Sequence, residues 1–312
     1  MSEPPRVSVV VCSFDINRLS LLQLCLDSLI DQLGTDDELI VVIDHNPALL
    51  RELGDRSGIT LITNDFGPGL SGARNTGLRA ASAEIVAFVD DDAVICTGWL
   101  DRLRDHYADS AVLGVGGHAD PVWPDGRPAW FPPEFDWVVG CSHRGLPTST
   151  AAVRNVIGAT MSFRRAALAA AGGFDARVGR VGAVPLGCEE TEVCIRLRAV
   201  APQGQILYDP AMRVRHWVSA ERVQFRYFIR RCFGEGTSKS VVSSLVGTPD
   251  SLSSEWDYVR RVLPAAILRG LWGAATGPRR RSHFARSLVI VSGLLITGAG
   301  YVWTRVTTLL AS

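Results

Sequence analysis

Residues 69–92 read GLSGARNTGLRAASAEIVAFVDDD, and this stretch decides the fold. Ser71 to Ala81 has helical spacing, Ile85 to Val89 is an unbroken apolar run, and Asp90, Asp91 and Asp92 follow at once. A short apolar run after a helix reads as a strand buried on both faces, as in a parallel sheet. The same alternation runs back to the start of the chain. Val7 to Cys12 is a β-branched strand. Leu19 to Leu33 reads as a helix with Leu22, Leu26, Leu29, Ile30 and Leu33 at helical spacing. Leu39 to Ile43 is a second strand ending in Asp44, and Ile59 to Ile62 is a third. Strands alternating with helices imply a doubly wound α/β sheet, which binds ligands at the carboxyl ends of its strands. Asp44 and the three aspartates lie at such ends.

The chain has 312 residues, 47% apolar and 21% charged, which suits one large α/β domain or two small ones and excludes a mainly disordered protein. Lys+Arg and Asp+Glu are both 32, so the basic excess of a general polyanion binder is missing and no nucleic-acid partner is expected. The basic residues are nearly all arginine; Lys239 is the only lysine. Cys12, Cys25, Cys96, Cys141, Cys188, Cys194 and Cys232 are odd in number and form no CxxC pair. That argues against a disulfide framework or a zinc cluster and for a reducing cytoplasm. The start, MSEPPRVSVVV, has no long apolar stretch behind a basic segment, so no signal peptide is expected.

Beyond the aspartates the character changes. Pro121 to Pro147 is rich in Pro, Gly and Trp, with Trp123, Trp130 and Trp137, and reads as long loops of functional character. Val156 to Phe163 is a further strand candidate, followed by helices at Arg164 to Ala171, Glu189 to Val200 and Val223 to Val246. Near the end, 18 residues from Ser287 to Thr304 carry no charge, behind Arg279, Arg280, Arg281 and Arg286 and a weaker apolar stretch, Leu263 to Thr276. A spanning helix needs ~20 apolar residues. The segment is therefore read as spanning, interfacial or a buried packing helix, with the preceding arginines and the late Tyr301 and Trp303 favouring the membrane. The organisation expected is residues 1–118 and 119–250 as the two halves of one α/β domain and 251–312 as a helical extension.

Adjacent like charges raise one another's pKa unless a cation neutralises them. A hard divalent metal does so, and Mg²⁺ typically takes one or two carboxylates plus substrate phosphates. In extended backbone, Asp90 and Asp92 face one way and serve one metal site, while Asp91 points elsewhere. Asp44 suits a ribose or base edge, or the N-cap of a helix starting near Pro47. The glycines of Asn64 to Gly77 let backbone approach a ligand, and Arg74 brings a fixed positive charge. Glu189, Glu190 and Glu192 open a helix, where acids favour the dipole; one of them is the candidate general base. His216, after a short strand pattern at Arg213 to Arg215, is a candidate further metal ligand or diphosphate contact. Arg222, Arg226, Arg230 and Arg231 line one helix, with Arg226 and Arg230 sharing a face. They form either a solvated face or a clamp for diphosphate or an anionic acceptor.

The ordered segments VSVVVCSF, ELIVVIDH, GLSGARNTGLRAASAEIVAFVDDD, GATMSFRRAALAAAGGFD and GCEETEVCIRL together resemble glycosyltransferase family 2, over about three quarters of the chain, Val7 to Gly236. The resemblance implies a GT-A fold, Rossmann-like with a doubly wound mixed sheet, a nucleotide-sugar donor, a divalent metal (Mg or Mn) and inversion at the anomeric carbon. Carried over to this sequence, it places Ser13 and Asp44 at the nucleotide, Arg74 and Asn75 by the donor, and Asp90 and Asp92 as the DxD pair, with Asp91 beside them on the donor side. Glu190 matches the catalytic base. Two departures stand out: the usual Pro-Thr-Tyr is Cys12-Ser13-Phe14, and the usual Asp of the Glu-Asp pair is Glu190, which keeps Glu189 open as the base.

The reaction expected is metal-dependent transfer of a sugar to a hydroxyl of a glycan or lipid-linked acceptor, in cell-envelope polysaccharide or glycolipid synthesis. The protein is expected in the cytoplasm, on the inner face of the cell membrane. A nucleotidyltransferase would also use a carboxylate pair with metal, but Ser13 to Asn17 lacks its glycine-rich turn. A non-catalytic carbohydrate-binding protein would use Trp123, Trp130 and Trp137 and has no need of three acids at one strand end.

Overall fold

The computed structural model describes residues 4–54, 56–178, 187–246 and 257–311. The chain forms two compact units. The first comprises Met1–Asp120, Pro147–Val184 and Glu189–His216; the second comprises Pro121–Leu146, Pro185–Cys188 and Trp217–Ser312.

A mixed sheet builds the first unit. Its strands are β1 (Val7–Ser13), β2 (Glu38–Ile43), β3 (Thr60–Thr63), β4 (Ile85–Asp90), β5 (Ala93–Ile95), β6 (Val112–Val122), β7 (Ala151–Ala152), β8 (Thr160–Arg164) and β9 (Gln205–Trp217). The order is β3-β2-β1-β4-β8-β6-β9-β5, with β7 on β9. The helices are α1 (Leu19–Ile30), α2 (Pro47–Leu53), α3 (Leu70–Ala80), α4 (Trp99–Tyr107), α5 (Arg165–Ala170) and α6 (Glu189–Val200). The first four strands are parallel and follow the expected alternation closely. β1 is buried on both faces because its residues alternate between two cores. Val7, Val9 and Val11 pack with α1 and α4 residues such as Leu22, Leu26 and Trp99. Val10 packs on the other face with Ala73, Leu78 and Val193 of α3 and α6. Gly77 lets α3 lie against β1, because a Cβ there would collide with Val10.

Register does the rest. β1 pairs Ser13 with Ile43 and Cys12 with Asp90, so the carboxyl ends of β1, β2 and β4 are level. The antiparallel strands were only partly legible. β8 runs against β4 as Ile85↔Arg164 to Val89↔Thr160. The expected three-residue strand at Arg213 to Arg215 is the end of a 13-residue β9. β5 pairs with it as Ala93↔His216, which brings His216 alongside the aspartates. β5, α4 and β6 had no counterpart in the sequence reading.

In the second unit the Trp-rich segment is not simply loop. Pro133–Val139 forms 3₁₀ turns, and Phe131, Phe135, Val138 and Val139 are buried with Phe228, Cys232, Leu263, Val289 and Ile290. Trp123, Trp130 and Trp137 pack against this core. The helices are α7 (Phe225–Val246), α8 (Leu263–Thr276) and α9 (Arg280–Ala311). α7 and α9 meet through glycine: a Cβ on Gly236 would strike the Thr297 carbonyl, and one on Gly300 the Phe233 carbonyl.

Candidate active site

The level strand ends of the first unit collect the chemistry. Asp90 ends β4, and the turn before β5 carries Asp91 and Asp92. Oxygens of Asp90 and Asp92 and a nitrogen of His216 lie within 4.8 Å of one another. His216 Nε2 is 3.1 Å from Asp92 Oδ1 and 3.8 Å from Asp90 Oδ2. His216 and Asp92 are buried, and Asp90 is half-buried. Two carboxylates and an imidazole at this spacing fit a divalent cation of the Mg²⁺ or Mn²⁺ kind. Asp91 turns to different partners: Ser13 Oγ donates to its Oδ2 at 2.5 Å and Arg18 Nη1 to its Oδ1 at 3.0 Å.

Arg18 is a residue that sequence reasoning passed over. Its Nη1 also reaches Asp92 Oδ2 at 3.0 Å. One guanidinium thus holds the outer oxygen of Asp92 while Oδ1 faces His216. Its only signal in the sequence was a lone basic residue just after the first strand. The electrostatics follow from this packing. Burial, then the charge of Asp92, push the Asp91 carboxyl up to about 6, against the pull of Arg18 and Ser13. Burial also opposes ionisation of Asp90, but nearby His216 and the charge of Arg74 hold it below the usual aspartate value.

Arg74, projecting from α3, is fully buried and joins two of the candidate groups. Nη1 donates to Glu189 Oε1 at 2.9 Å, and Nη2 reaches Asp90 Oδ1 at 3.4 Å and the Gly158 carbonyl at 3.2 Å. Glu189 and Glu190 open α6; Glu189 is buried with Oε2 lacking a hydrogen-bond partner among the described residues, and Glu190 is half-buried. Glu192 pairs with Arg196 one turn on. Asn75 clasps Phe174, donating from Nδ2 to its carbonyl and accepting from its N–H through Oδ1, both at 2.8 Å. Its amide therefore holds the turn at Gly173.

Asp44 does not cap α2. That cap is Asn46, whose Oδ1 accepts from Ala48 N at 3.1 Å and Leu49 N at 3.0 Å. Asp44 instead accepts from Asn64 Nδ2 at 2.7 Å and Gly69 N at 2.9 Å, and lies 2.8 Å from His45 Nδ1. Gly69 has φ 133°, left-handed backbone that glycine tolerates, and it links Asp44 to the start of α3.

Arg226, Arg230 and Arg231 lie on α7, whereas Arg222, expected on the same helix, sits in the turn before it; all four belong to the second unit. Arg222 is buried and donates to the Val139 carbonyl at 3.0 Å. Arg231 lies over the Trp137 ring and pairs with Glu235 at 2.7 Å. Arg226 and Arg230 are exposed.

The sequence matches the family described as Glycosyl transferase family 2 over residues 8–171. It is 29% identical over 307 residues to a glucosyl-dolichyl phosphate glucuronosyltransferase of Haloferax volcanii, covering 97% of both chains. It is 28% identical over 187 residues to a pre-mycofactocin glycosyltransferase of Mycobacterium tuberculosis, covering 58% of this chain and 39% of that protein. Among solved structures, the mannosyltransferase PcManGT of Pyrobaculum calidifontis, in complex with GDP-Man and Mn²⁺, superposes with a TM-score of 0.61 at 17% identity. The superposition covers 95% of this chain and 88% of that one. This last likeness is one of fold, and the fold is GT-A.

Proposed function

The chain belongs to glycosyltransferase family 2, and from that premise we propose an inverting hexosyl transfer from a nucleoside-diphosphate sugar to a hydroxyl of a glycan or lipid-linked acceptor. The observation that carries this reading is the Asp90–Asp92–His216 cluster at the carboxyl end of β4, where an α/β sheet binds its ligand. These three residues would hold Mg²⁺ or Mn²⁺. A divalent cation there supplies neutralisation of the donor diphosphate and so favours departure of the nucleoside diphosphate.

The protein groups divide the remaining work. Asp44, held by Asn64 and Gly69, offers its carboxylate to the base or ribose, and Ser13 and Asp91 line the floor beside it. Arg74 ties Asp90 to Glu189, which couples the donor side of the sheet to the start of α6. Glu190 takes the proton of the acceptor hydroxyl at its carboxylate as that oxygen attacks the anomeric carbon. Half-burial leaves the Glu190 carboxylate within reach of an acceptor. General-base assistance of this kind is worth ~10²–10⁴-fold.

The Haloferax relative is named for a dolichyl phosphate-linked substrate, and that supports a lipid-linked acceptor here. α9, apolar enough by length and composition to cross a membrane, supports membrane association, and the face proposed is the cytoplasmic one. The test is to incubate the purified protein with a panel of nucleotide sugars and Mn²⁺ or Mg²⁺ and to follow release of nucleoside diphosphate. One donor hydrolysed far faster than the rest, with loss of the reaction in EDTA, is the expected result. No hydrolysis of any donor, or hydrolysis indifferent to chelator, overturns the reading.

A further inference from the structure

From Leu263 to Ala311 the chain holds no acidic residue, while Arg269, Arg279, Arg280, Arg281, Arg286 and Arg305 supply positive charge. Along α9 the large exposed side chains include Phe284, Leu288, Val291, Leu295, Val302 and Val306. With 3.6 residues per turn these fall within about 40° of one line on the helix, over about 33 Å. The opposite side is packed. Val289 and Ile290 are buried in the core of the second unit. Ser287 Oγ donates to the Ile267 carbonyl of α8 at 3.2 Å, and Thr304 Oγ1 donates to Thr237 Oγ1 of α7 at 3.1 Å. On α8, Leu268, Leu271 and Trp272 are exposed as well. A contiguous apolar surface of this extent marks an interaction site.

We propose that the second unit docks on an anionic lipid bilayer as a monotopic surface, with α9 lying in the plane of the interface and not crossing it. The proposal takes from the functional reading only its membrane-associated acceptor. Two observations decide against a crossing. Between Ser287 and Thr304, α9 is packed on α7, which carries Arg231, Glu235 and Lys239, and on α8, which carries Arg269. Threading α9 through hydrocarbon would draw those charges in with it, a placement that membranes exclude. Lying flat turns the stripe into the acyl boundary and leaves the packed side towards water. Charge selects the occupant. Arg279, Arg280, Arg281 and Arg305 are exposed and complement anionic headgroups, and each arginine near such a surface adds attraction that salt screens; Arg269 pairs with Glu134 and Arg286 with the Ala129 carbonyl.

The experiment uses the full chain and vesicles of phosphatidylcholine with and without phosphatidylglycerol. Sedimentation with the anionic vesicles is expected, roughly 10-fold weaker without phosphatidylglycerol or at high salt. A Leu288→Glu/Leu295→Glu variant should bind at least ~10-fold less tightly, with donor hydrolysis in lipid-free buffer unchanged. Depth is then read with a nitroxide at Phe284→Cys, Leu295→Cys or Val306→Cys on bound protein. Equal, shallow depths at all three support the proposal. A label at Leu295→Cys near the midplane, with the other two towards opposite headgroups, means a spanning helix and overturns it. A lipid-free dimer that the Glu variant dissociates, with no vesicle binding, means the stripe pairs two copies and overturns it too. Binding is read without donor or acceptor, so its failure leaves glycosyl transfer standing, and loss of glycosyl transfer leaves the docking result standing.

Discussion

Each unit buries a cluster of charges, and the two clusters are balanced in opposite ways. At the strand ends of the first unit, among the described residues, Asp90, Asp91, Asp92 and Glu189 share two guanidiniums, those of Arg18 and Arg74. On α7 of the second unit, Glu235 lies between two cations, 2.7 Å from Arg231 Nη1 and 3.0 Å from Lys239 Nζ. Protonation follows the balance. Asp91, buried beside Asp92, is pushed up to about 6. Burial opposes ionisation of Glu235 too, yet Lys239 and Arg231 hold it far below the usual glutamate range. A carboxylate matched by its neighbours locks a fold. Carboxylates left in excess at a sheet end destabilise it until a cationic ligand arrives, and that excess is the mark of a site.

The sharpest way to break the comparison is Asp92→Asn. It should lower metal-dependent donor turnover by at least ~10²-fold, read as nucleoside diphosphate release, and at the same time raise the thermal midpoint of the metal-free protein by relieving repulsion. Asp91→Asn should give a smaller kinetic loss, because its partners are Ser13 and Arg18. If Asp92→Asn leaves turnover intact, the excess charge at the sheet end is not a metal site.

The base comes next. Glu190→Gln should cut transfer ~10²-fold or more with donor binding nearly unchanged. Should Glu189→Gln be the damaging change and Glu190→Gln the silent one, Glu189 is the base and its salt bridge to Arg74 opens during turnover.

Smaller effects test the balanced cluster. Glu235→Gln should destabilise the fold by about 1–3 kcal/mol at neutral pH, measured by urea unfolding, because it leaves two cations without their anion. Since the folded-state pKa of Glu235 is lowered, its contribution is full above the ordinary glutamate value and fades as pH falls below it. Wild type and variant should therefore converge in acid; a gap that widens in acid contradicts the assignment. Gly236→Ala should cost about 1–3 kcal/mol by forcing α7 from the Thr297 carbonyl, with donor hydrolysis retained.

How much of this could be read beforehand depended on range. β1 to β4 were legible because each is a short apolar run between helices, and β1 and β4 are buried on both faces. β6 was not. Its Gly114, Gly116 and Gly117 lower strand propensity, and their reason lies elsewhere in the fold: a Cβ at each would meet Phe163, Val156 or the Met212 carbonyl. The Trp-rich segment read as loop because the partners of its aromatics sit on helices far along the chain, as where Trp130 meets Phe225 and Phe228.

The sequence by itself determined the parallel half of the sheet, the carboxylates at its ends and the family, since these rest on local periodicity and on ordered motifs. Tertiary structure alone decided which groups meet. The β5–β9 register carries His216 to Asp92 across more than a hundred residues. Arg18 finds the aspartates because β1 and β4 are neighbours. One side of α9 is buried and the other exposed only because α7 and α8 pack against it. Periodicity reports which residues share a face; what that face meets depends on contacts between segments distant in the chain.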